Sequence, residues 1–204
     1  LKEEKRPDET YPIVEDESGT FILSSKDLCM IQHIPELVHA GIAAWKIEGR
    51  MKSPYYVAAV TRIYREALDR YFADPHGYAY DPKWLLELEK VSHREYGTGF
   101  FSGNQGYNSQ TTHPGTIYIK EYDYLGMINN VLSNDVAEVL VKNKILGNTS
   151  IEIMGRRLSE DFTQVLFDLR NEYNESIKTA HVGQKVRIKM SRPVHKYFML
   201  RKCG

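Results

Sequence analysis

The sequence predicts a mixed fold in two successive parts, α/β followed by β. Three observations predict it. Strand and helix patterns alternate over residues 1–95, a Gly-, Asn-, Ser- and Thr-rich linker covers 96–115, and short strand patterns alone recur over 116–204.

The elements follow from residue type and spacing. Residues 19–25, GTFILSS, form a short apolar run of strand length. HIPELVHAG carries Pro35 in a first helical turn and Gly41 at a C-terminal stop. AAWKIEGR, 43–50, alternates and reads as a second strand. Ser53 then caps a helix with Pro54 at its first position, and Val57, Val60, Tyr64, Ala67, Leu68 and Tyr71 fall at helical spacing. Asp81 and Pro82 repeat that start ahead of Trp84, Leu85, Leu88 and Val91. Such alternation implies parallel strands with crossover helices, in a doubly wound sheet or a (β/α) barrel. After the linker, strands are expected at 125–131, 136–142, 150–154, 163–169, 177–180 and 185–190. Their number and shortness favour a small antiparallel β-barrel that leaves no open edges.

Composition narrows the function classes. With 204 residues, 42% hydrophobic and 26% charged, the chain has room for one large domain or two small ones. No apolar run approaches the roughly 18 residues of a membrane span. The opening LKEEKRPDET has no signal-peptide core, so a cytoplasmic protein without a membrane partner is expected. Cys29 and Cys203 lie too far apart in sequence to suggest a disulfide framework. Net charge is zero but unevenly spread: 1–17 hold seven acids and three bases, whereas 176–204 hold eight Lys or Arg and no acid. Nothing in the pattern sets an oligomeric state.

Two charged patterns stand out. On a strand covered by helices, Trp45 and Ile47 would face the helices, and Lys46, Glu48 and Arg50 would point the other way. In a barrel that way is inward, near the strand end where such barrels keep their active sites. A solvated edge strand, or a Lys46–Glu48 ion pair without chemistry, fits the same pattern. Along QKVRIKM, Lys185, Arg187 and Lys189 alternate with Val186, Ile188 and Met190. A strand there presents three cations about 6.6 Å apart, close to the spacing of successive phosphates. Arg192, Lys196, Arg201 and Lys202 add charge, and Tyr197 and Phe198 offer stacking surface. A solvated face of solubilising cations is the other reading. No Ser-His-Asp set, HExxH or carboxylate pair is legible, and the seven histidines are scattered.

The strings SKDLC, IPEL, KIEGRMKS followed by a Tyr-Val pair, and YREALD occur here in that order. Together they resemble the collagenase-like peptidases of unassigned catalytic type, peptidase family U thirty-two. GQKVRIKMSRPV is similar to the closing strand of that family's tail, so the resemblance spans essentially the whole chain. It implies a catalytic (β/α) barrel followed by a small β-barrel resembling the second domain of translation factors. A full barrel takes about 250 residues. The expectation is therefore its last strand-helix units only, in a C-terminal fragment that is inactive alone. Several relatives look like RNA hydroxylases acting on a transfer RNA uridine or a ribosomal cytidine, some with prephenate as hydroxyl source, and others act in quinone synthesis. The resemblance thus implies tRNA hydroxylation. Peptidase activity, or an RNA- or protein-binding β-barrel without chemistry, are the alternatives.

Residue roles follow from the same resemblance. Cys29 in SKDLC matches the fourth thiolate of a [4Fe-4S] cluster whose other three cysteines belong to a signature expected upstream, so no cluster is expected in this chain alone. A buried small hydrophobe, or a nucleophile near His33, are the other readings of Cys29. The fork of Arg50 and the point charges of Lys46 and Lys52 suit the two carboxylates of prephenate. Glu48 would orient a cation or move a proton, or serve as general base in a peptidase. Lys185, Arg187, Lys189 and Arg192 are the expected RNA contacts, and Cys203 receives no role.

Overall fold

Capping chemistry sets where each helix begins. In the computed structural model, which describes residues 1–10, 13–16, 19–22, 25–103 and 118–204, α1 (Ile34–His39) has proline in its first turn and is followed by Gly41 at φ 68°. α2 (Pro54–Ala73) starts beneath Ser53, whose Oγ accepts the Tyr56 N–H at 3.2 Å. α3 (Pro82–Glu89) starts at Asp81, whose Oδ1 accepts the Lys83 N–H at 3.0 Å. Tyr55, Ala59, Val60, Ile63, Ala67 and Tyr71 of α2 are buried with Trp84, Leu88, Val91, Ile31 and Ile34. Val57, placed by spacing in that stripe, is 41% exposed, because the buried face is centred on Ile63.

The strands of the first part are short. β1 (Lys2–Glu3) pairs with β2 (Arg6–Thr10), and β3 (Ile13–Asp16) with β4 (Gly19–Ile22), both antiparallel. β5 (Asp27–Leu28) pairs with β6 (Tyr96–Gly97) in parallel. The run at 19–25 thus forms a hairpin, not a parallel strand, and its residues 23–24 lie outside the described residues. The strand expected at 43–50 is absent. That segment is irregular and makes no ladder, since no described strand runs beside it to exchange N–H and C=O groups. The expected barrel units are reduced to one parallel pair with α1–α3 in its crossover. Of the linker expected at 96–115, residues 96–97 form β6 and 104–115 lie outside the described residues.

The second part is a curled, seven-stranded antiparallel sheet, a half-barrel. Its strands are β7 (Tyr122–Ser133), β8 (Val136–Val141), β10 (Ser150–Met154), β11 (Phe162–Val165), β12 (Leu169–Arg170), β14 (Lys185–Lys189) and β15 (Met199–Cys203), in the order β11-β10-β15-β7-β8-β14-β12. β9 (Ile145–Leu146) and β13 (Thr179–Ala180) form a separate pair. Leu125, Ile128, Val139, Ile151, Ile153, Val186, Ile188 and Leu200 fill the concave side. Register shifts in β7 near Asn130 and Ser133 let this twelve-residue strand bend. At Gly126 a Cβ would lie 2.6 Å from the Leu140 carbonyl oxygen, so glycine permits the close approach of β7 and β8.

Two expectations need correction here. The single strand expected at 163–169 is split into β11 and β12, which lie on opposite edges of the sheet. The run 185–190 is not the closing strand: β14 sits between β8 and β12, and the later β15 fills the centre between β10 and β7. MLRKC reads as a basic tail because two of its five residues are cations. Its burial depends on acids supplied from far away in sequence.

Candidate functional site

Cys29 follows β5, where its N–H donates to the Gly97 carbonyl at 2.9 Å and fixes the chain against β6. The thiol is half-buried. Tyr64 reaches it from α2: its hydroxyl accepts the Met30 N–H at 2.8 Å, so its one proton is left for Cys29 Sγ at 4.0 Å. Burial pushes the thiol's pKa up, while the backbone of Ile31 and the Tyr64 hydroxyl pull it down. Burial also raises the phenols of Tyr64 and Tyr96, the Cys29 charge adding to it. His93 stacks on Tyr96 at 4.2 Å. Its Nδ1 lies 2.6 Å from the Arg94 carbonyl, which only accepts, so that nitrogen carries the proton. Its Nε2 is buried without a partner among the described residues.

Beside the thiol, Asp27 accepts the Arg94 backbone N–H at 3.0 Å and its Nε–H at 2.9 Å. Lys52 is drawn into this cluster. Its ammonium donates to the Ser92 carbonyl at 3.1 Å, lies 3.9 Å from Asp27, and sits 4.2 Å from the Tyr118 ring centre and 5.1 Å from that of Tyr56. Lys46 and Glu48 form a 3.9 Å ion pair with side chains 85% and 70% exposed, and Glu48 Oε1 accepts the Arg50 N–H at 2.9 Å. Gly49 lets this segment lie on the start of α2, since a Cβ there would be 2.9 Å from Val57 Cγ2. Tyr56 is shared by the cluster: burial raises its hydroxyl, and Asp27, Cys29 and Glu48 add to the rise. The structure therefore brings Cys29, Glu48 and Lys52 to one neighbourhood, with Lys46 and Arg50 exposed on the same segment. Solvated cations on an exposed segment can hold an anion.

The second candidate set lies on the sheet. Val186 and Ile188 are buried, Lys185 and Lys189 exposed and Arg187 half-exposed, the alternation expected of this strand. Lys189 lies 3.7 Å from Asp135. Arg187 stands across from Glu138 on β8 and from Arg170 on β12. Arg192 belongs elsewhere: it is exposed, with its guanidinium 5.6 Å from the ring centre of Phe162 on the opposite edge. Arg201 and Phe198 are 0% and 3% exposed, so the charge and stacking surface expected of them are not presented to solvent. Tyr197 is exposed, and Lys202 lies 3.8 Å from Asp123.

The sequence reading missed the largest polar assembly. Arg62 of α2 makes two hydrogen bonds to Asp161 at 2.7 and 2.8 Å, one to Glu87 at 2.6 Å and one to the Gly155 carbonyl at 3.1 Å. Arg201 donates to Glu87 at 2.7 Å, Glu152 at 2.6 Å and Tyr55 Oη at 3.1 Å. Lys90 completes the set, 2.6 Å from Glu87 and 3.0 Å from Glu152. Burial pushes the carboxyls of Glu87 and Glu152 up, but the surrounding cations outweigh it and hold both below the usual range. Oxygens of Glu87, Glu152 and Asp161 come within 4.8 Å of one another, yet the two guanidinium groups stand where a metal ion would have to sit. This is an ionic joint between the helices and the sheet. Its signal in the sequence is a charge inside an apolar stripe: Arg62 beside Ile63, and Glu87 between Trp84 and Leu88.

With fold and site in view, the chain matches Peptidase family U32 over residues 1–111 and the Peptidase family U32 C-terminal domain over 120–201, and it belongs to that family. Among relatives, tRNA hydroxylation protein P1 of Bacillus subtilis is 34% identical over 192 residues, 92% of this chain and 44% of that protein. The tRNA hydroxylation protein P of Escherichia coli is 34% identical over 180 residues, 88% of this chain and 39% of that one. A protein named Collagenase, from Porphyromonas gingivalis, is 33% identical over 90 residues, 44% of this chain and 25% of its own. The chain therefore spans less than half the length of these relatives. A crystal structure of the C-terminal domain of a Geobacillus thermoleovorans U32-family protein superposes with a TM-score of 0.37 at 27% identity, covering 40% of this chain and 93% of that one. No helix among the described residues is long and apolar enough to cross a membrane.

Proposed function

We propose that this chain acts in tRNA hydroxylation, as the C-terminal part of a longer cytoplasmic protein that hydroxylates a uridine. The observation that carries the reading is similarity sustained across both parts of the chain, 34% over 92% of it, to a protein named for that role. In the longer protein, α1–α3 and the β5–β6 pair would be the last units of a (β/α) barrel, and the sheet a small barrel of the translation-factor kind.

Cys29 suits one corner of a [4Fe-4S] cluster. Its Sγ is half-buried and has a backbone N–H and the Tyr64 hydroxyl directed at it, as a ligating thiolate needs. One thiol cannot hold four irons, so three further thiolates would come from outside this chain. The cluster would supply one-electron chemistry. The chain's own residues would position Sγ through Tyr64, and Lys46 and Arg50 would take the carboxylates of a donor such as prephenate, with Glu48 orienting them. Lys52, engaged by Ser92 and two aromatic rings, would hold the segment in place.

The similarity to the Porphyromonas gingivalis Collagenase favours a second reading, a peptidase with Glu48 as general base. One experiment separates them. Transfer RNA nucleosides are measured by mass spectrometry in a strain lacking the full-length gene, complemented with wild type, Glu48→Gln or Arg50→Ala, and the purified proteins are incubated with denatured collagen. Loss of a hydroxylated nucleoside in the deletion and the variants, without collagen cleavage, is the expected result. Unchanged nucleosides in the deletion overturn the reading, and cleavage abolished by Glu48→Gln establishes the peptidase.

A further inference from the structure

β14 starts at a depression of about 500 Å³ lined by Asn171, Tyr173, Ile177, Val182 and Lys185, with Glu172 at its side. Tyr173 is 77% exposed and Val182 66% exposed, both costly surfaces to leave in water. The turn that carries Tyr173 is closed by its own hydrogen bonds. Asn171 Oδ1 accepts the N–H groups of Tyr173 at 3.0 Å and Glu175 at 2.9 Å, its Nδ2 donates to Glu175 at 2.7 Å, and Arg170 donates to the Asn174 carbonyl at 3.1 Å. An aromatic ring is thus held out to solvent on an ordered support.

Register places this ring at one end of the cation row. Leu169 pairs with Ile188 and Arg170 with Arg187, antiparallel, so the chain after β12 runs toward Lys185 and the chain before it toward Lys189. Lys185 and Arg187 have no acid within ion-pair distance among the described residues, whereas Asp135 lies near Lys189 and Asp168 accepts from Arg170. A row of cations at about 6.6 Å intervals, with an exposed ring beside Lys185 at one end, matches a single nucleic-acid strand in charge, spacing and stacking surface. A duplex hides its bases and cannot use the ring.

We propose that the β12–β14 face binds single-stranded RNA, with Tyr173 as a stacking platform for an unpaired base and Lys185 and Arg187 on the adjoining phosphates. Glu172 offers an acceptor to a base-edge N–H. The proposal rests on the tRNA reading for the identity of the strand as RNA.

The test uses the whole chain and a fluorescein-labelled 12-nucleotide RNA, single-stranded or annealed to its complement, with binding followed by anisotropy over a salt series. Tyr173→Ala should weaken single-strand binding about fivefold or more. Its salt slope and its duplex binding should stay unchanged, and Tyr173→Phe should bind within twofold of wild type. Lys185→Ala should lower the slope by about 0.7. The side chain of Tyr173 makes few contacts, and thermal melting verifies that each variant is folded. Single-strand binding by Tyr173→Ala within twofold of wild type overturns the site, as does an equal loss on both RNA forms or no binding by wild type. If instead a strain lacking the gene keeps every hydroxylated nucleoside, the functional reading fails whatever the oligonucleotide does.

Discussion

Replacing Arg201 by methionine removes the centre of the joint between helices and sheet. The guanidinium is 0% exposed and makes charge-assisted bonds to Glu87 and Glu152. At about 1.5–3 kcal/mol for each such bond, their loss amounts to about 3–6 kcal/mol. That agrees with about 3–5 kcal/mol for removing one partner of a buried ion pair, a large part of the roughly 5–15 kcal/mol that holds a domain together. The pH dependence has a definite sign. In the wild type both carboxyls titrate below their ordinary 4.5, so their stabilisation is complete above that value and is lost as pH falls through the depressed native values. In Arg201→Met, Arg62 and Lys90 still face Glu87 and Lys90 still faces Glu152, but the loss of one guanidinium moves both carboxyls upward, and protonation relieves part of the unbalanced charge as pH falls. Urea unfolding followed by tryptophan fluorescence, to which buried Trp84 and half-buried Trp45 both contribute, should therefore show a smaller gap between variant and wild type at about pH 4.5 than at about pH 7. A deficit under about 1 kcal/mol at neutral pH, or the same deficit at both pH values, would refute this account of the joint.

Three further outcomes are expected. Gly126→Ala drives a methyl against the Leu140 carbonyl and should cost about 1–3 kcal/mol. Gly147→Ala, whose Cβ would meet only the Lys178 carbonyl at 3.5 Å, should stay within about 0.5 kcal/mol; thermal melts that rank the two in the opposite order contradict the geometry. Reversing Lys185, Arg187 and Lys189 together to Glu should weaken RNA binding and flatten its salt dependence by about two units of slope, and an unchanged slope in a folded variant would leave this face as plain surface. Cys29→Ser in the full-length protein, purified without air, should lose iron and sulfide, and full retention of both would remove Cys29 from the cluster.

Local chemistry was legible in the sequence because it is decided by neighbours along the chain. Ser53, Pro54, Asp81 and Pro82 announce helix starts through bonds that reach only two or three residues, and the alternation of β14 follows from strand geometry alone. The family strings around Cys29 and Lys46 were legible for the same reason. Pairing was not legible. Residues 43–50 carry a strand pattern without a partner among the described strands, and 163–169 divide between the two edges of one sheet. The fate of the charges was hidden as well. Arg201 and Arg187 are both cations in strands near the C-terminus, yet one is buried and the other faces solvent. Only the fold decides, by bringing Glu87, 114 residues away, within 2.7 Å of Arg201. A buried charge is tolerable where opposite charges converge in three dimensions, and sequence order does not encode that convergence.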